Sequence, residues 1–236
     1  MKAFHLVLAL GCAAALLTGC AQEAVSSSSS ASSSHSSSQS SHSAASSSAT
    51  SLNEEILASR YADISALPVL DLDVDESAQF DDRTLMLEDS IDNELEYLVY
   101  QTYYYQMSAD FSARQDLLGA NESLQNSNQN EEKNFENGEY MTSITIHALN
   151  TLAPEDLDHA AAYAKEDLLK QIDQYALTEY AVVQADLDWT YSQAALEAGP
   201  QLDEGRYLRY FLLGKTEETP EFRWYELYWD DFLESA

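Results

Sequence analysis

Apolar and polar side chains alternate along residues 178–192: Ala181, Val183, Ala185, Leu187, Trp189 and Tyr191 against Gln184, Asp186, Asp188 and Thr190. Successive side chains on a strand point to opposite faces, so this run predicts a strand with one apolar and one polar face. Residues 206–215 contain Tyr207-Leu208-Arg209-Tyr210-Phe211-Leu212-Leu213, an almost continuous apolar run that suits a strand covered on both sides. The run 222–233 is aromatic on both faces and predicts a third strand. Upstream, 140–149 predicts a strand with Tyr140, Ile144 and Ile146 on one face and Ser143, Thr145 and His147 on the other.

The helical period fills the remainder. Asn53 is an N-cap ahead of a short helix near 52–64, and Pro68 ends whatever precedes it. Asp89 or Ser90 caps a helix over 91–107 whose inner face reads Ile91, Leu95, Leu98, Thr102, Tyr105. Tyr97, Tyr100 and Tyr104 form an adjoining stripe, which reads first as core and second as the wall of a ligand cavity. Asp110 caps a shorter helix reaching Leu117-Leu118, and 121–137 is a polar loop or short helix closed by Asn137-Gly138. Pro154 sits in the first turn of a helix to about residue 172, with Leu157, Ala161, Ala164, Leu168 and Ile172 buried. Arg206 and Asp230-Asp231 fall near one end of the last hairpin and predict an ion pair.

Residues 69–75 alternate Leu70, Leu72 and Val74 with Asp71, Asp73 and Asp75, the pattern of an edge strand whose acids discourage edge pairing. A calcium loop is the rival reading, with Asp82 at the twelfth position from Asp71. Glu76 stands where such a loop needs glycine, and the edge strand is preferred.

Composition divides the chain into 1–19, an apolar leader; 20–51, a Ser/Ala-rich tract that reads as a disordered linker; and 52–236, a globular α+β domain. Leu17-Thr18-Gly19-Cys20 resembles the bacterial lipobox, in which the cysteine is lipidated after signal-peptide cleavage. The resemblance implies acyl chains, palmitate among them, on Cys20 and a lipid anchor on the extracytoplasmic face of the cell membrane. Without the leader, ten Lys and Arg face 41 Asp and Glu, a formal net charge of −31. Such a balance disfavours nucleic acid, which is held by Lys and Arg. Both cysteines lie in the first twenty residues, so the globular stretch has no disulfide, thiol nucleophile or cysteine metal site.

The element order resembles the nuclear-transport-factor-2-like superfamily of cone-shaped, cystatin-like α+β domains. The likeness rests on Met107-Ser108-Ala109-Asp110-Phe111 between two helices and on the strands Gly205-Arg206-Tyr207-Leu208-Arg209-Tyr210-Phe211-Leu212 and Trp224-Tyr225-Glu226-Leu227-Tyr228. The stretch from Phe135-Glu136-Asn137-Gly138-Glu139-Tyr140 to Ile146-His147 is also similar to lipoproteins of Gram-positive bacteria. These likenesses imply helices over one face of a curved antiparallel sheet, a pocket used by some members for catalysis and by many for binding, and a homodimer, which the superfamily often forms through its sheet.

Candidate chemistry is sparse. His147 shares a face with Ser143 and Thr145, His159 follows Asp158 on a helix, and Asp186 and Asp188 are two apart on one strand face. No phosphate loop, nucleophile elbow or zinc spacing occurs. The expectation is a membrane-tethered binding or interaction module for a small molecule or protein, without cofactor or metal, its ligand lined by Tyr97, Tyr100, Tyr104 and His147. The alternatives are a cone-fold enzyme, isomerase- or hydrolase-like on a small apolar substrate, and a structural envelope protein.

Overall fold

The structure, a computed structural model, describes residues 54–70 and 74–234. It is an α+β domain built on a six-stranded mixed sheet in the order β1-β2-β3-β4-β5-β6. The strands are β1 (Ser77–Phe80), β2 (Arg83–Leu87), β3 (Met141–Thr151), β4 (Glu179–Tyr191), β5 (Gly205–Lys215) and β6 (Arg223–Tyr228). Helical residues 54–60 (α1) precede the sheet. α2 (Glu94–Ser108), α3 (Phe111–Gln115) and α4 (Glu122–Glu136) lie between β2 and β3. α5 (Ala162–Gln174) precedes β4, and α6 (Gln193–Ala198) precedes β5.

The sheet is not wholly antiparallel as expected. β2 runs parallel to β3, with Leu85 opposite Ile144, because the three helices form a crossover between them. The β1–β2 hairpin is short and has no glycine turn to mark it in the sequence; its turn is Asp81-Asp82, with Asp81 at φ 53°. Residues 71–73, and with them Asp71 and Asp73 of the rival calcium loop, lie outside the described residues. Asp82 accepts a hydrogen bond from the Tyr140 hydroxyl at 2.7 Å. Among the described residues no cluster of three His, Cys, Asp or Glu is suited to a metal ion.

Helices cover both faces, not one. On the first face, Leu95, Leu98, Val99, Tyr103 and Met107 of α2 pack on Ile144, Ile146, Val183, Leu187, Phe211 and Leu213. On the second, Ala164, Leu168 and Ile172 of α5 cover only the half of the sheet bearing Tyr180, Val182, Tyr210 and Leu212. This is why the first half of β4 is buried on both sides while its second half alternates.

Caps move two predicted helix starts. Asn93, not Asp89 or Ser90, caps α2: its Oδ1 accepts from the backbone N–H of Leu95 and Glu96. Two orphan donors of the first turn are thereby satisfied, and the Glu96 carboxylate reaches back to accept from the Asp92 N–H, ahead of the cap, at 2.8 Å. Residues Pro154–His159 form a separate 3-10 turn, and α5 starts only at Ala162. The break is held by Ala161, whose N–H donates to the Phe232 carbonyl at 2.8 Å. β6 ends at Tyr228 because the chain then turns to insert Phe232, fully buried against Tyr210 and Tyr228.

Candidate functional site

The residues singled out in sequence do not converge. Tyr97, Tyr100 and Tyr104 do share a groove of about 350 Å³ with Val74, Asp75 and Ala78. Tyr97 and Tyr100 stack with ring centroids 6.2 Å apart, and burial pushes the Tyr100 hydroxyl up to about 12. His147 lies on the opposite face of the sheet. There its ring nitrogens meet Glu88 at 2.6 Å and Asp188 at 2.8 Å. Those bonds, the Glu88 one foremost, raise its pKa. Asp186 and Asp188 do not act as a pair, since Asp186 is held by Arg206 through two bonds of 2.7 Å. That fork holds the Asp186 carboxyl below its usual range. Asp230, expected near Arg206, is bonded to Arg209 instead, at 2.8 Å. His159 is exposed in the 3-10 turn.

A different place concentrates the unusual chemistry. A cavity of about 570 Å³ lies between the first sheet face and α2, α3 and α4. Its volume falls within the range of small-molecule sites. Ser127, Asn130 and Asn134 of α4 and Gly199 and Gln201 beyond α6 are exposed and form its rim. All three tryptophans of the chain, Trp189, Trp224 and Trp229, line it.

Three of the six arginines line the same cavity, and all three are buried: Arg83 is 5% exposed, Arg114 5% and Arg209 3%. Each enters from a different element. Arg83 opens β2 just after the hairpin turn, on the face that carries Leu85 and Leu87. Its guanidinium lies 4.5 Å from the centroid of the Phe135 ring. Arg114 sits on α3, with Nη1 bonded to Glu131 of α4 at 2.5 Å. Arg209 lies mid-β5 beside Phe211, among the rings of Trp229 at 4.1 Å, Tyr207 at 4.8 Å and Trp189 at 5.3 Å.

These guanidiniums are incompletely satisfied. Nη1 of Arg83, Nε of Arg114 and Nη2 of Arg209 have no acceptor among the described residues. The carboxylates nearest two of them stand outside the cavity: Asp81, 93% exposed, is 3.7 Å from Arg83, and Asp230 is 56% exposed. A buried, part-paired guanidinium costs several kcal/mol in lost hydration. Burial also raises the pKa of Tyr103, whose hydroxyl the charges of Arg209 and Arg114 act on in the opposite sense.

No family model matches the chain, and no curated protein or solved structure matches it significantly. A larger concavity, about 750 Å³, lies among the turns at Tyr175–Thr178 and Thr216–Thr219. None of the buried unpaired nitrogens belongs to its lining residues.

Positions 83, 114 and 209 form no spacing or motif that marks a site in the sequence. One signal was present: Arg209 interrupts an apolar strand on the same face as Phe211 and Leu213. A charge there must be paired, solvated or functional.

Proposed function

We propose that the chain is an extracytoplasmic lipoprotein whose globular domain binds a small molecule in the cavity between the sheet and α2–α4. The observation that carries this reading is the aromatic cavity holding three buried, incompletely paired arginines. Energetically such a wall is a poor core, since apolar residues of similar volume would be equal or better for stability. It is a good receptor, because apolar rings supply contact area and a few fixed donors supply orientation. Binding is favoured over catalysis because the buried polar groups are mainly guanidiniums, which do not exchange protons near neutrality.

Two further parts of the reading rest on resemblance. Cys20, outside the described residues, remains the proposed lipid anchor; among the described residues no helix is long and apolar enough to cross a membrane. A cone of the nuclear-transport-factor-2-like kind is supported by the long helix α2 and the α3–α4 pair lying over one sheet face with a cavity beneath. The binding reading is tested by native mass spectrometry of the protein purified from its own cells. A co-purifying small molecule, lost on denaturation, is the expected result. Protein of bare mass that also binds nothing in a metabolite-extract screen would overturn the reading.

A further inference from the structure

Resting on that reading, we infer that the ligand is a small organic oxyanion: an acid group, carboxylate, sulfonate or phosphate, on a flat apolar body. The charge distribution carries the inference. The chain has 41 Asp and Glu, so carboxylates to neutralise an internal arginine are not scarce. Yet the acids nearest Arg83 and Arg209 are Asp81 and Asp230, both on the solvent side. Only Arg114 has its carboxylate, Glu131, in the lining. Inside the cavity the chain thus inverts its own sign: Arg83, Arg114 and Arg209 against Glu131 and Glu139.

The unpaired donors, which have almost no accessible surface in the ligand-free protein, fit that class. A guanidinium presents a planar fork that matches an oxyanion and cannot lose its proton. Arg209 already spends Nη1 on Asp230 and the Leu208 carbonyl, leaving Nη2 unpaired. The long Asp81 contact of Arg83 involves Nη2, leaving Nη1 unpaired. Phe135 beneath Arg83 and Trp229 beneath Arg209 fix both groups by cation–π contact, so little side-chain freedom remains to be lost on binding. A ligand without acceptor oxygens would leave these donors unmatched, and a neutral acceptor would leave their charge uncompensated. Trp189, Trp224 and Trp229 line the cavity and supply flat apolar surface for the body of such a ligand.

The test uses a matched pair of probes on the processed protein. These are 1-anilinonaphthalene-8-sulfonate and N-phenyl-1-naphthylamine, the same ring system without the acid. Quenching of tryptophan emission reports occupancy, since all three tryptophans line the cavity. The expected result is that the sulfonate binds at least about tenfold more tightly than the neutral amine. The double variant Arg83→Met/Arg209→Met should remove that preference and leave the amine within about twofold. Arg206→Met, on the outer sheet face, should change neither. Equal binding of both probes to the unaltered protein overturns the oxyanion inference while leaving the binding reading intact. A preference that survives the double variant also overturns it. If neither probe binds, both readings fall. The comparison on the unaltered protein decides the matter even if the double variant does not fold.

Discussion

Replacing Arg83 by Met should stabilise the ligand-free protein. The guanidinium is 5% exposed, and its nearest carboxylate, Asp81, is 3.7 Å away and 93% exposed. A pair so open to solvent contributes at most about 1 kcal/mol. The cation–π contact with Phe135 at 4.5 Å adds roughly 0.5–2 kcal/mol. Against these stands a desolvation penalty of several kcal/mol. Methionine keeps most of the apolar stem and removes the charge, so the expected net gain is about 1–3 kcal/mol, in line with other buried charges replaced by apolar groups. For a domain of this size each kcal/mol raises Tm by about 2–4 °C. Urea titration and thermal melting of ligand-free protein measure both quantities. A loss of about 2 kcal/mol or more would refute the reasoning, since Arg83 would then be holding the fold together.

Gly119 donates its N–H to the Trp224 carbonyl at 2.8 Å, and a Cβ there would sit 2.4 Å from the Tyr225 ring. Gly119→Ala should therefore cost about 1–3 kcal/mol in urea melts. The His147 pKa is raised above its ordinary 6.5, chiefly by the Glu88 hydrogen bond. Its contribution is complete below pH 6.5 and fades as pH climbs through the folded pKa. With Glu88 52% and Asp188 38% exposed, that contribution is under about 1 kcal/mol. The stability advantage over His147→Asn should shrink from acid toward alkaline pH; an advantage that grows would contradict the assignment. Arg206→Gln should return the Asp186 carboxyl upward toward 3.8, read by its NMR titration, and an unchanged titration would exclude Arg206 as the cause. Cys20→Ala should release the protein into the medium, whereas retention in the membrane would exclude the lipid anchor.

The sheet was legible where burial is one-sided or complete. β4 and β5 carry their burial in the periodicity of Ala181–Trp189 and of Tyr210–Leu213, and the structure pairs them over eleven positions from Glu179–Lys215 to Trp189–Gly205. The β1–β2 hairpin was not legible, because Ser77–Phe80 is short and its turn is Asp81-Asp82 without glycine. α4 has no apolar period; Asn128 is its one buried residue. It is helical because Asn121 caps it. It is docked because Asn128 donates to the Phe111 carbonyl at 2.9 Å and Glu131 meets Arg114. Contacts between distant segments leave no local pattern. The cavity has the same origin, since positions 83, 114 and 209 meet only once the crossover from β2 to β3 is made. Arg209 alone could have announced it.

A crystal structure of the protein purified from its own cells, with the cavity inspected for density, tests the central claim most directly. The expected result is an acid-bearing small molecule with an oxygen about 3 Å from the free nitrogens of Arg83 and Arg209 and its body against the tryptophans. A cavity filled by the protein's own side chains, with the chain's own acceptors on Nη1 of Arg83 and Nη2 of Arg209, would contradict it.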